Sequence, residues 1–157
     1  MIAALYFVLT VAPGFNAISF GPIQFRVSEV LTVLAYFEPA AILGLWLGAA
    51  AANFYGPFGL IDVVFGSSLT LLAAWLTWRI RNPYFALIPP VLINGIGVAV
   101  MLKFLLAAPM RATEALYFLI ATVSIGEIIV IYGLGLPLLL LILNTRILIR
   151  PGVGKEL

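Results

Sequence analysis

The chain has 157 residues, of which 64% are hydrophobic and only 9% are charged, and its mean hydropathy is +1.22. A soluble domain carries about 25% charged residues, so this composition indicates an integral membrane protein with one transmembrane domain, residues 1–157. The net charge of +2 is too small and too dispersed for nucleic-acid binding. Because the chain has no His and no Cys, disulfides, thiol catalysis and the usual metal ligands are excluded, and no metal site is predicted.

Apolar runs separated by Pro and Gly predict an all-α bundle of six transmembrane helices. The predicted helices are residues 1–12, 26–37, 40–55, 60–78, 84–106 and 115–143. The first two are shorter than the roughly 20 residues that cross a hydrocarbon core. Gly44 and Gly48 predict close packing of the third helix, and Gly133, Gly135 and Pro137 predict a kink in the last. Residues 13–24 and 107–114 are predicted loops.

Basic residues predict the orientation. Five of them share one side of the predicted bundle: Arg79, Arg81, Arg146, Arg150 and Lys155. Lys103 and Arg111 lie on the other side, together with Arg26. Because Lys and Arg in short loops favour the cytoplasm, both termini are predicted to be cytoplasmic.

Glu127 is the residue that points most directly to a function. It precedes the apolar run Ile128-Ile129-Val130-Ile131 within a predicted membrane helix. A charge at that depth costs roughly 2.5–3.5 kcal/mol or more in lipid, so this carboxylate must face protein, a water cavity or a ligand.

Further polar residues are predicted in the outer half or at the middle of the bundle. They are Asn16, Gln24, Arg26, Glu29, Asn53, Asp62 and Asn94. Converging buried polar groups indicate a binding pocket that opens outward. Each group also has a structural alternative: Arg26 could pair with Glu29 at i,i+3, Asp62 could cap its helix, and Asn53 and Asn94 could bond neighbouring helices.

The predicted pocket contains more negative than positive charge, because Glu29, Asp62 and Glu127 face only Arg26. This excess favours a cationic ligand or one with several N–H donors. A guanine-like edge presents adjacent N–H groups that a carboxylate accepts together.

Two blocks, Gln24-Phe25-Arg26-Val27-Ser28-Glu29 and Pro57-Phe58-Gly59-Leu60-Ile61-Asp62, resemble the QueT family. These proteins are substrate-binding S components of energy-coupling factor (ECF) transporters. The resemblance covers essentially the whole chain, including residues 2–10, 126–127 and 133–138.

The resemblance implies an ECF S-component-like bundle of six helices in a prokaryotic cell membrane. Its ligand would be the queuosine precursor 7-aminomethyl-7-deazaguanine, captured from outside the cell. Its partners would be a transmembrane T component and two ATPase subunits, which use the ATP. The chain itself is expected to need no cofactor and not to be an enzyme, and it has no phosphate-binding G-x-x-x-x-G-K-[ST] loop with which to hydrolyse ATP. An intramembrane enzyme is the weaker alternative, because without His or Cys it would need paired carboxylates, and none share an i,i+4 face.

This ligand carries an ammonium group and a guanine-type N–H edge. We expect Glu127 or Glu29 to accept the edge, and Asp62 or the other glutamate to pair with the ammonium. Three amides are expected to complete the polar shell: Gln24, Asn53 and Asn94.

The resemblance also implies docking on the T component through small residues of the first helix, here Ala3 and Ala4. Only Met1 and Ile2 precede them, so the upstream turn expected from the family is missing from this sequence. Docking would then use these alanines and other helices, or the natural N-terminus would be longer.

Two alternatives remain at this point. An S component for another vitamin or purine-like ligand would keep the fold and change the ligand. A solitary secondary transporter would use Glu127 as a proton-coupling group, although 157 residues without an inverted repeat leave little room for alternating access.

Overall fold

The computed structural model describes residues 1–20, 24–106, 112–145 and 147–148, and all regular secondary structure in these ranges is helical. Residues 107–111 of the predicted loop 107–114 lie outside the described residues. The same holds for most of the tail and for four of the basic residues used to predict orientation: Arg111, Arg146, Arg150 and Lys155.

The α-helices follow one another along the described chain with short connections. They are α1 (Ile2–Val11), α2 (Asn16–Ser19), α3 (Val33–Phe37), α4 (Ala40–Tyr55), α5 (Gly59–Ile61), α6 (Ser67–Arg79), α7 (Ile88–Leu106), α8 (Ala112–Ile128) and α9 (Leu136–Thr145). Helical segments of different pitch adjoin them: 3₁₀ turns at Val27–Thr32 and Phe85–Leu87, and π-helical turns at Asp62–Gly66 and Ile129–Gly135.

Continuous helical stretches long and apolar enough to cross a membrane are Gly59–Arg79, Phe85–Phe104 and Leu116–Thr145. Their lengths are 21, 20 and 30 residues, against the roughly 20 that a bilayer core requires. Shorter apolar helices occupy Ile2–Val11, Val27–Phe37 and Ala40–Tyr55. The protein is therefore an all-α membrane protein.

Helix boundaries follow the predicted pattern with three differences. The third predicted helix is confirmed as Ala40–Tyr55. The predicted loop at residues 13–24 contains α2, and α8 already begins at Ala112, so the predicted loop at 107–114 is too long. The second predicted helix begins as a 3₁₀ turn, in which side chains at i and i+3 lie in line. That alignment brings Thr32 beside Glu29, whose Oε2 accepts a 3.1 Å hydrogen bond from the threonine hydroxyl.

The predicted close packing at Gly44 and Gly48 is confirmed. A Cβ on Gly44 would lie 3.0 Å from the Cβ of Ile2. A Cβ on Gly48 would lie 2.7 Å from the Cβ of Tyr6 and 2.8 Å from the carbonyl oxygen of Ala3. Helix α4 therefore lies directly on the backbone of α1, and this contact fixes the position of Tyr6.

Helix α4 packs on α1 and α6, while α7 lies between α6 and α8. Along α7, Asn94 falls between Val91 and Val98, which belong to two separate apolar clusters. Along the last helical stretch, Glu127 falls between Val123 and Ile131 of the same two clusters. The polar residues thus occupy the junction between two parts of the apolar core.

We predict that Gly48→Ala destabilises the protein, because the added methyl group has no room between α4 and α1. Overpacking of this kind costs about 1–3 kcal/mol. Thermal unfolding in detergent measures the effect. Gly133→Ala is the matched control, because the nearest atom to its Cβ would be Ile129 Cγ2 at 4.0 Å. Equal melting temperatures for the two variants would contradict the prediction.

Candidate functional site

Glu29 lies in the 3₁₀ turn and is almost completely buried, with 1% of its surface exposed. Both of its carboxylate oxygens are engaged: the Tyr6 hydroxyl donates to Oε1, and the Thr32 hydroxyl donates to Oε2. Tyr6 of α1 and Thr32, three residues after Glu29, therefore hold this carboxylate in one orientation.

A second contact ties α1 to the same turn. Thr10 Oγ1 lies 2.8 Å from the carbonyl oxygen of Tyr6 and 2.7 Å from the hydroxyl of Ser28. Tyr6 and Thr10 are not among the site residues that the sequence pattern predicts. Their i,i+4 spacing places both on one face of an otherwise apolar helix, and this was the signal available in the sequence.

Arg26 pairs with Asp62, and the Nη2 to Oδ2 distance is 3.5 Å. The alternative that Arg26 pairs directly with Glu29 is therefore wrong, because Arg26 precedes the 3₁₀ turn in extended conformation and Glu29 is held by hydroxyl groups. Asp62 lies in the first turn of its π-helical segment, as the alternative of a charge near the helix N-terminus requires, but its carboxylate forms no capping hydrogen bond with the described residues.

The position of Asp62 depends on two neighbours. Asn53 of α4 donates from Nδ2 to the Asp62 carbonyl oxygen at 3.0 Å, which is the packing role considered for this amide. Gly66, one π-helical turn later, leaves no space for a side chain: a Cβ there would lie 2.2 Å from Asp62 Oδ1. The π turn and the glycine together place this carboxylate opposite Arg26.

An aromatic pair covers the other side of Arg26. The guanidinium carbon lies 5.4 Å from the centre of the Phe20 ring, within the range of a cation–π interaction. Phe20 in turn makes an edge contact with Phe58 at 6.2 Å and lies directly against Gly56. Arg26 is thus held between a carboxylate and an aromatic ring, with only 5% of its surface exposed.

Glu127 and Asn94 complete the cluster, and both are buried. Gly95, beside Asn94, packs against Ser124, three residues before Glu127, and the Asn94 amide lies within interaction range of both Glu29 and Glu127. Arg26 attracts both glutamates as well as Asp62. Four of the predicted charged residues therefore form one electrostatic unit, which we call the acidic cluster: Arg26, Glu29, Asp62 and Glu127.

Gln24 lies beside this cluster, whereas Asn16 is not brought to it by any contact of the described residues. The Gln24 carbonyl oxygen would be 2.2 Å from a Cβ on Gly126, so the chain before Arg26 runs against the helix that carries Glu127. Gln24 is 3% exposed. Asn16 is half-buried at the start of α2.

Many buried polar atoms of this region have no hydrogen-bond partner among the described residues. They are Gln24 Nε2, Arg26 Nε and Nη2, Asn53 Oδ1, Asp62 Oδ1 and Oδ2, Asn94 Oδ1 and Glu127 Oε2. An unsatisfied buried polar group costs about 1–3 kcal/mol, and more when it is charged. The cluster is therefore chemically suited to binding a ligand that carries several polar groups.

These features define an all-α membrane protein whose interior holds a cluster of charged side chains at the junction of its helices. The family model described as QueT transporter matches residues 1–144. The chain belongs to the QueT transporter family.

One relative is a protein named Queuosine precursor transporter QueT, from Lactococcus lactis subsp. cremoris (strain MG1363). It is 43% identical to this chain over 89 residues, which cover 54% of this chain and 52% of the relative. The match thus spans about half the length of that relative. No solved structure matches the chain.

We predict that Tyr6→Phe lowers the thermal stability, because the buried Glu29 loses one of its donors. The expected cost is about 1–3 kcal/mol. Tyr55→Phe is the matched control, since Tyr55 is 63% exposed and its edge contact with Phe7 needs only the ring. Adding Glu29→Gln to each variant tests the pairing, because the effects of Tyr6→Phe and Glu29→Gln should not add. Additive effects would mean that the hydroxyl acts elsewhere.

Proposed function

We propose that this protein is the substrate-binding S component of an ECF-type importer and captures 7-aminomethyl-7-deazaguanine from the extracellular side. The observation that carries the proposal is the acidic cluster, in which three buried carboxylates face one arginine. Membership of a transporter family and the name of the Lactococcus relative support a queuosine precursor as the ligand. The ligand's ammonium group and N–H edge match the negative excess of the cluster.

The contacts of each carboxylate favour Glu127 as the principal ligand group. Tyr6 and Thr32 already donate to Glu29, and Arg26 already neutralises Asp62. Glu127 Oε2 has no hydrogen-bond partner among the described residues. We assign ligand N–H groups to Glu127 and its neighbour Asn94, with Glu29 supplying negative charge for the ammonium.

The same proposal includes the partners and the orientation. Six helices would cross or enter the membrane, with both termini in the cytoplasm and the acidic cluster nearer the outside. A T component and two ATPase subunits would supply the energy, and the chain would use no cofactor. Ala4 lies exposed on α1 and is the better docking candidate, because the backbone of Ala3 is packed against Gly48.

We predict that the purified protein binds 7-aminomethyl-7-deazaguanine in calorimetric titration, and that guanine and riboflavin bind much more weakly or not at all. Glu127→Gln should weaken binding roughly 10- to 150-fold, since a hydrogen bond to a charged group contributes about 1.5–3 kcal/mol. Glu38→Gln is the matched control, because Glu38 is exposed between α3 and α4 and accepts the Ala40 N–H at 3.2 Å.

Each outcome of this titration has a separate meaning. Absence of binding to the deazapurine would refute the ligand assignment and direct the search to another flat, N–H-rich ligand. Undiminished binding by Glu127→Gln, with loss of pH-dependent flux in vesicles, would favour a proton-coupled transporter instead.

We predict that Ala4→Trp abolishes ATP-dependent uptake by the assembled transporter but leaves ligand affinity unchanged, because the indole would block close approach of a partner helix. Ala121→Trp is the matched control, since Ala121 is also exposed but lies on α8. Uptake in cells that express the partner subunits measures the effect. Equal uptake by the two variants would show that α1 does not dock at Ala4.

A further inference from the structure

Arg26 has hydrogen-bonding capacity that its ion pair does not use. Its Nη2 lies 3.5 Å from Asp62 Oδ2, which is longer than the roughly 2.9–3.0 Å of an ordinary N–H···O hydrogen bond. Nε and Nη2 are both buried and have no hydrogen-bond partner among the described residues. Asp62 and the Phe20 ring therefore hold the guanidinium in place while leaving N–H donors available.

Hydrogen-bond acceptors in the same cluster have the complementary property. Glu127 Oε2 and Asn94 Oδ1 are buried and have no donor among the described residues. The chain that leads to Arg26 runs against Gly126, beside Glu127, since a Cβ there would lie 3.8 Å from the Phe25 Cα. Gly95, beside Asn94, packs against Ser124, three residues before Glu127, so the three side chains belong to one site. The site thus offers donors and acceptors together, whereas a purely cationic ligand would use only the acceptors.

The ligand edge that satisfies both sets is a lactam, in which a carbonyl oxygen stands next to a ring N–H. We infer that Arg26 donates to the ring carbonyl oxygen of the ligand while Glu127 and Asn94 accept its N–H groups, so that the protein selects 6-oxo over 6-amino purine-type rings. This inference rests on the proposed function, because it takes a deazapurine as the ligand. It adds that Arg26 recognises the substituent at position 6 of the ring.

The selectivity follows from the pairing of donors with acceptors. A 6-amino group would point N–H bonds at the Arg26 guanidinium, which has no acceptor atom. It would also remove the ring N–H at position 1, so the carboxylate opposite would lose a donor. Sites built to hydrogen-bond one group reject analogues that leave buried polar atoms unpaired far more strongly than sites built on shape alone.

Two ligands that differ only at position 6 test the inference: 7-aminomethyl-7-deazaguanine and its 2,6-diamino analogue. Both carry the same ammonium group. The wild-type protein should prefer the 6-oxo ligand by roughly a hundredfold or more. Arg26→Gln combined with Asp62→Asn removes both charges of the ion pair, and the preference should fall by at least about tenfold, the share expected from one charged hydrogen bond.

Arg26→Lys provides an independent variant that retains the positive charge beside Asp62. Arg26→Lys should fold even if the double variant does not. Circular dichroism and thermal unfolding measure the folding of each variant. Its preference should also fall, because a lysine cannot present the planar N–H groups of a guanidinium. Arg79→Gln is the control: this arginine stacks on Trp75 and Trp78 at the end of α6 and should leave the preference unchanged.

The outcomes separate this inference from the proposed function. Tight wild-type binding of the 6-oxo ligand with a preference that survives in Arg26→Lys and in the double variant would overturn the inference alone. Equal wild-type affinity for the two ligands would overturn it as well. Failure of the wild-type protein to bind either deazapurine would overturn both.

Discussion

Burial of charge in an apolar interior is the constraint on which the rest of this structure depends. Three carboxylates lie where a lone charge would cost several kcal/mol, and they share one arginine. The protein meets that cost by different means at each position: hydroxyl donors at Glu29, an ion pair at Asp62, and an amide neighbour at Glu127. The three carboxylate side chains therefore have distinct chemical environments.

Small residues make these environments possible. Gly48 brings α1 close enough for the Tyr6 hydroxyl to reach Glu29, Gly66 leaves room for the Asp62 carboxylate, and Gly126 admits the backbone of Gln24. In each case the glycine lies opposite a polar group or the helix that carries it. The glycines therefore position the polar cluster as well as allowing the helices to pack closely.

The sequence predicted the helices well because Pro and Gly mark their ends, and it predicted the buried acids because a carboxylate in an apolar run has few structural explanations. It did not predict the partner of Arg26, since i,i+3 pairing assumes that both residues lie in one helix, whereas Arg26 precedes the 3₁₀ turn in extended conformation. The role of Tyr6 was not predicted, because an aromatic residue in an apolar helix is usually a core residue. Contacts between distant segments, such as Arg26 with Asp62, leave no local pattern.

The π-helical turn at Ile129–Gly135 lies between a part of the helix that contacts the polar cluster and a part that packs in the apolar core. A π turn holds about one residue more than an α turn, so it rotates the next helical segment, α9, by roughly 100° relative to a regular helix. Glu127 before the turn can face the polar cluster while Leu139 after it faces the apolar core. In a regular α-helix the 12 residues from Glu127 to Leu139 would place their side chains roughly 120° apart, and one of them would face outward. Because the π turn absorbs an extra residue, both side chains stay inside the bundle, so the pitch of this segment is constrained independently of its composition.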